Sequence, residues 1–136
     1  MAILVPYDGS TPAQKAVEHA VGVADGEEII LLRVVEAAGG TIDAGFDLLQ
    51  EKLREEPKEV TAAVADEVAD LLTDVDYDIE TVAGKPARQI VRFAEENDVD
   101  QIIIGSHGRR GASRILLGSV AETVVRRSPV TVTVVR

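Results

Sequence analysis

The sequence predicts an α/β fold: a doubly wound, five-stranded parallel sheet with helices on both faces. Three observations predict it. Short apolar runs alternate five times with amphipathic helical patterns, the order expected when parallel strands are joined by right-handed helical crossovers. The strongest runs are continuously apolar, as strands covered on both faces must be. A glycine-punctuated stretch at residues 105–119 lies between an apolar run and a helical pattern, which is where such folds bind ligands. At 136 residues and 46% hydrophobic, the chain is expected to form a single domain over 1–136 with a sizeable core.

Residues 2–7 form the first apolar run, broken by Asp8-Gly9-Ser10-Thr11-Pro12. Thr11 is expected as the N-cap of the next helix, with Pro12 at N1 and Gln14 completing a capping box. Ala13, Ala16, Val17, Ala20, Val21 and Ala24 recur at helical spacing and form one stripe of small residues, suited to close approach to a sheet. His19 falls off that stripe. Asp25-Gly26 should end the helix, and residues 28–35 give a second, nearly continuous apolar strand. Residues 37–56 read either as a lid over a ligand or as a plain crossover insertion. From Pro57 a long helix should carry Val60, Ala63, Val64, Val68, Leu71 and Leu72 on one face, broken at 74–78 before a third strand at 79–83.

Gly84-Lys85-Pro86 turns into a helix with Ala87, Ile90, Val91 and Ala94 inward, and Glu95-Glu96-Asn97 ending it. A fourth strand at 101–104 leads into the glycine-rich stretch. The last helix should turn Val120, Ala121, Val124 and Val125 inward, with Arg126 and Arg127 near its negative carboxyl end. Val130, Val132 and Val134, alternating with Thr131, Thr133 and Val135, form the final strand.

The chain has no cysteine, which excludes disulfides, thiolate metal sites and a cysteine nucleophile. No apolar run approaches the roughly 20 residues of a membrane span, and Asp8 interrupts the amino-terminal run too early for a signal peptide; a cytoplasmic location is expected. Residues 1–100 hold 23 acidic and 8 basic side chains, while 101–136 hold 1 and 6. The acidic body disfavours nucleic acid and anionic membranes as partners. With only 4 lysines against 24 acids, the composition suits a cytoplasm of high salt, although plain acidity in a mesophile gives the same count.

The basic excess gathers where the glycines are. Gly105, two residues, Gly108, nine residues, then Gly118-Ser119 is neither a Walker A loop nor GxGxxG. It nonetheless supplies what an anion needs: glycines that admit close backbone approach, a helix N-terminus with free N–H donors, the Ser119 hydroxyl, and Arg109, Arg110 and Arg114 nearby. Gly105, Gly108, Gly118 and Ser119 are the candidate phosphate contacts. His107 is a further possible donor, and Val120 contributes its backbone N–H while its side chain joins the core.

This spacing resembles the adenine-nucleotide signature of the universal stress protein family. So do Ile3-Leu4-Val5-Pro6-Tyr7-Asp8-Gly9-Ser10, the run ending Arg33-Val34-Val35, and Arg127-Ser128-Pro129-Val130. Thr131 departs from the resemblance, standing where the family commonly has a second proline. The resemblance implies strand order 3-2-1-4-5, with Pro6 and Asp8 at the mouth of the crevice between strands 1 and 4. It also implies Val34 and Val35 bordering the adenine, and a homodimer through residues 130–135. Asp8 has two readings: a carboxylate for ribose hydroxyls or the magnesium of Mg-ATP, or an Asx-turn residue. The implied cofactor is ATP or a related adenine nucleotide.

Two functions fit these residues: a nucleotide-binding stress-response or regulatory module, and a slow ATPase or nucleotidyl-transfer enzyme in the same pocket. A dimer scaffold without nucleotide is disfavoured by the intact glycine spacing. No catalytic residue is assigned, since Asp8 and His107 are the only apparent bases.

Overall fold

The computed structural model describes residues 2–35, 65–66, 68–73, 75–106 and 117–136. Its strands are β1 (Ala2–Pro6), β2 (Glu28–Val35), β3 (Tyr77–Ala83), β4 (Val99–Gly105) and β5 (Thr131–Val135). The helices among the described residues are α1 (Thr11–Val23), α2 (Pro86–Glu96) and α3 (Ser119–Arg127). All strand pairs are parallel, in the order β3-β2-β1-β4-β5. The doubly wound architecture and strand order expected from the sequence are those observed.

Side-chain alternation along the strands divides the core in two. Ile3, Val5, Ile29, Leu31 and Ile103 pack under α1, with Ala13, Ala16, Val17 and Ala20 from the helix and Val68 and Leu72 from the stretch before β3. Leu4, Ile30, Leu32, Ile102 and Ile104 face the opposite way, against Ile90 and Ala94 of α2 and Ala121 and Val124 of α3. Burying each large aliphatic side chain contributes about 1.5–3 kcal/mol, so the two layers together hold the sheet between its helices. No polar or charged residue is buried among those described.

Several boundaries differ from expectation. Ser10, not Thr11, caps α1: its backbone is extended and its Oγ accepts from the Ala13 N–H at 3.2 Å. Ser10 and Thr11 offer similar hydroxyls, and the turn before them decides between the two. The Asp8 Oδ1 accepts from the Ser10 N–H at 2.9 Å, which fixes Ser10 as the last non-helical residue. β3 begins at Tyr77 rather than at 79, because Tyr77 and Asp78 pair through their backbones with Ile29 and Ile30 whatever their side chains. β4 likewise begins at Val99, after Asp98 with φ of 46°. Val125 is 44% exposed instead of turned inward. At roughly 100° per residue it falls at the edge of the arc centred on Val120, Ala121 and Val124. Residues 37–56, and Val60, Ala63 and Val64 of the expected long helix, lie outside the described residues.

Candidate functional site

β1 is flanked by β2, whose connection runs one way across the sheet, and by β4, whose connection runs the other. The connections therefore leave β1 in opposite directions, the reversal at which sheets of this kind bind ligands. Half-buried Pro6 ends β1 there. The chain then runs through Tyr7, whose N–H donates to the Leu32 C=O at 2.9 Å, and reaches the exposed Asp8. Asp8 does form the Asx turn, through Oδ1 to Ser10. This occupies one carboxylate oxygen; the other makes no hydrogen bond to a described residue.

On the β4 side of this reversal, Gly105 ends β4 opposite Val135. A Cβ at Gly105 would lie 2.7 Å from the Pro12 carbonyl carbon and 2.8 Å from its oxygen. Only a bare Cα lets the first turn of α1 cross the end of β4 so closely. Ser106 follows, its N–H donating to the Val135 C=O at 2.8 Å. The chain returns at Gly118, whose N–H donates to the Ser106 C=O at 2.6 Å. The two ends of the glycine-rich stretch are thus pinned together over β4. His107, Gly108, Arg109, Arg110 and Arg114 lie outside the described residues.

Gly118 is the N-cap of α3 and supplies no side-chain cap. Its φ of −62° is one that any residue adopts. The first intrahelical bond runs from the Glu122 N–H to the Gly118 C=O at 2.9 Å. The N–H groups of Ser119, Val120 and Ala121 therefore have no helical acceptor. The Ser119 side chain is exposed beside them, and Val120 packs on the core. Glu122 in this first turn is paired with Arg126 at 2.8 Å. The result is a set of backbone donors at the positive end of a helix.

β2 runs beyond its pairing with β1, placing Val34 and Val35 at the same end of the sheet. Val34 packs toward α2 and α3, whereas the Val35 C=O accepts from the Gly84 N–H at 3.0 Å. Pro6, Asp8, Val34, Val35, Gly105, Gly118, Ser119 and Val120 thus all lie at the carboxyl ends of β1, β2 and β4 or at the start of α3. Two partners of the site escaped the sequence reading: Pro12, which makes Gly105 necessary, and Ser106, which closes the neck. The Gly-Ser and Ser-Thr-Pro punctuation marked their neighbourhoods but not their contacts. A separate groove of about 310 Å³ between α2 and α3 is lined by Arg88, Arg92, Glu95, Glu96 and Arg127 among others, and by none of the residues just named. Among the described residues no cluster of three His, Cys, Asp or Glu side chains could hold a metal ion, and no helix is long and apolar enough to cross a membrane.

The universal stress protein family model matches residues 1–136. Universal stress protein MJ0577 of Methanocaldococcus jannaschii is 35% identical, the match covering 98% of this chain and 93% of that protein; its solved structure superposes with a TM-score of 0.76. The universal stress protein UspA of Lactobacillus plantarum is 28% identical, with 100% of this chain and 97% of that chain covered at a TM-score of 0.83. A universal stress protein solved in complex with cAMP is 26% identical and covers 100% of this chain and 93% of its own, at a TM-score of 0.66. With the whole chain matched and the sheet order shared, this protein belongs to the universal stress protein family.

Proposed function

We propose that the chain is a nucleotide-binding stress-response or regulatory module that holds ATP or a related adenine nucleotide at the reversal between β1 and β4. The observation that carries this reading is the uncapped start of α3: three backbone N–H groups without helical acceptors, beside an exposed Ser119 and beyond a glycine N-cap. Phosphate oxygens would satisfy those donors and meet the positive end of the helix dipole. Gly105, His107, Gly108, Gly118, Ser119 and Val120 form the phosphate side in this reading. Asp8 and Pro6 border the ribose, and Val34 and Val35 border the base. The relative in complex with cAMP supports an adenine nucleotide as the ligand class.

Asp8 fits a magnesium ion only as one ligand among several. Mg²⁺ in nucleotide sites commonly takes one or two carboxylates, water and phosphate oxygens, and the free oxygen of Asp8 is compatible with that role. The chain also acts as a homodimer through β5 in this reading, and the edge position of that strand supports it.

Isothermal titration with ATP, AMP and adenosine tests the proposal. ATP is expected to bind with a dissociation constant on the order of micromolar, equivalent to about 8 kcal/mol, and adenosine much more weakly. Absence of heat with ATP, or equal affinity for adenosine, would remove the phosphate cradle from the reading.

A further inference from the structure

We propose that the groove between α2 and α3 docks an extended acidic segment of a partner protein. The groove shares no residue with the nucleotide site proposed above, so the inference stands or falls independently of that reading.

The topology makes the groove. α2 leads from β3 into β4, and α3 leads from β4 into β5. Both pack on one face of the sheet, so the two helices run side by side in the same direction. Ile90 and Ala94 of α2, and Ala121 and Val124 of α3, are given to the core. Between the helices, Ala87 and Val91 are too small to fill the space, and a groove of about 310 Å³ remains. Its apolar side chains are short enough for a backbone to approach, and Arg88, Arg92 and Arg127 stand along it.

Two of these cations are unengaged. Arg88 and Arg127 make no hydrogen bond or ion pair to a described residue, in a chain where acids outnumber bases by ten. Arg92 bridges Glu96 at 3.0 Å, with both side chains more than half exposed. An exposed pair of this kind contributes little and gives way to an incoming carboxylate.

Their spacing selects an extended chain. Arg88 and Arg92 are four residues apart on α2, a rise of about 6 Å. Gln101 of β4 pairs with Thr131 of β5, and α2 ends at Glu96 and α3 at Arg127, nearly the same number of residues before that pair. Arg127 therefore lies level with Glu96, roughly 6 Å further along. An extended chain presents alternate side chains on one side about every 6.6 Å. Acidic residues at every second position can thus meet successive guanidinium groups, each in the bidentate geometry that arginine favours. A lone carboxylate or phosphate reaches only one of them.

A polypeptide fits better than a nucleic acid, whose phosphates also repeat along a chain. No aromatic side chain stands among the described groove residues to stack a base. Glu95 lines the groove as well, and its carboxylate makes no bond to a described residue. A peptide backbone offers it N–H donors, whereas a phosphate chain would be repelled.

Fluorescence anisotropy tests the assignment with a labelled peptide of alternating glutamate and threonine, its glutamine–threonine counterpart, and labelled oligothymidylate. At about 0.1 M salt the wild type is expected to bind the acidic peptide roughly tenfold more tightly than either control. Arg88→Gln and Arg127→Gln are each expected to weaken that binding about fivefold. Arg126→Gln removes the same charge, but Arg126 is held by Glu122 and does not line the groove; its affinity should stay within about twofold of wild type. All three side chains are exposed, and matching thermal melts would show that the variants fold. No saturable binding of the acidic peptide overturns the proposal. So does an equal loss in Arg126→Gln, which would reduce the effect to net charge. Oligothymidylate binding as tightly as the peptide overturns it in favour of a nucleic-acid groove.

Discussion

Gly105 answers two demands. The glycine spacing makes it a candidate phosphate contact, while the structure shows that α1 needs its bare Cα, because a methyl group there would press on the Pro12 backbone at 2.7 Å. Backbone cannot move aside as a side-chain tip can. Gly105→Ala is therefore expected to destabilise the fold by about 1–3 kcal/mol, the range for overpacking, lowering the melting temperature by several degrees in a calorimetric scan. An unchanged melting temperature would mean that α1 shifts freely. Sequence alone shows that a glycine is present and not which neighbour excludes a Cβ, because Pro12 is distant in the chain. The capping residue was illegible for a related reason. Ser10 and Thr11 are chemically equivalent caps, and the Asp8 turn that chooses between them is visible only in three dimensions.

Among the elements, β5 is the most consequential. Its Val135 C=O points to β4, where it accepts from Ser106. Backbone groups alternate along a strand, so Thr131 and Thr133 also turn theirs to β4, and Val132 and Val134 turn theirs to the open edge. Their side chains meanwhile pack under α2 and α3. Val132→Pro should thus remove one outward donor and leave the β4 ladder intact. Light scattering at tens of micromolar protein is expected to give a dimer for the wild type and a monomer for this variant; a monomeric wild type would end the dimer reading. The opposite edge, β3, carries Asp78 and Glu80 on one face. Burial, and then the neighbouring Asp78 carboxylate, raise the Glu80 pKa above its ordinary value. Such charge at an edge discourages pairing, and β5 has none. Strand legibility follows the same division. Glu28–Val35 could be bounded from sequence because both its faces are covered. Tyr77 and Asp78 read as a break because an edge strand needs no apolar pattern to pair.

At the scale of the molecule, the net charge of −10 predicts a salt response. Carboxylates repel across a Debye length of about 30 Å at 0.01 M salt and about 3 Å at 1 M. The melting temperature should therefore rise markedly between low and molar KCl; a flat profile would leave the composition without this explanation. The sheet order has a further consequence for how the chain is made. Of the five strands β1 is synthesised first, yet it occupies the centre of the sheet, with β2 and β4 as neighbours. Synthesis proceeds at about 5–20 residues per second, so one side of β1 waits for seconds before Val99–Gly105 exists to cover it. The neck at Ser106 waits longer still, because Val135 must be made before it can accept the Ser106 N–H. A nascent chain can acquire half its sheet early, but the Ser106 neck cannot close until the fifth strand has been translated.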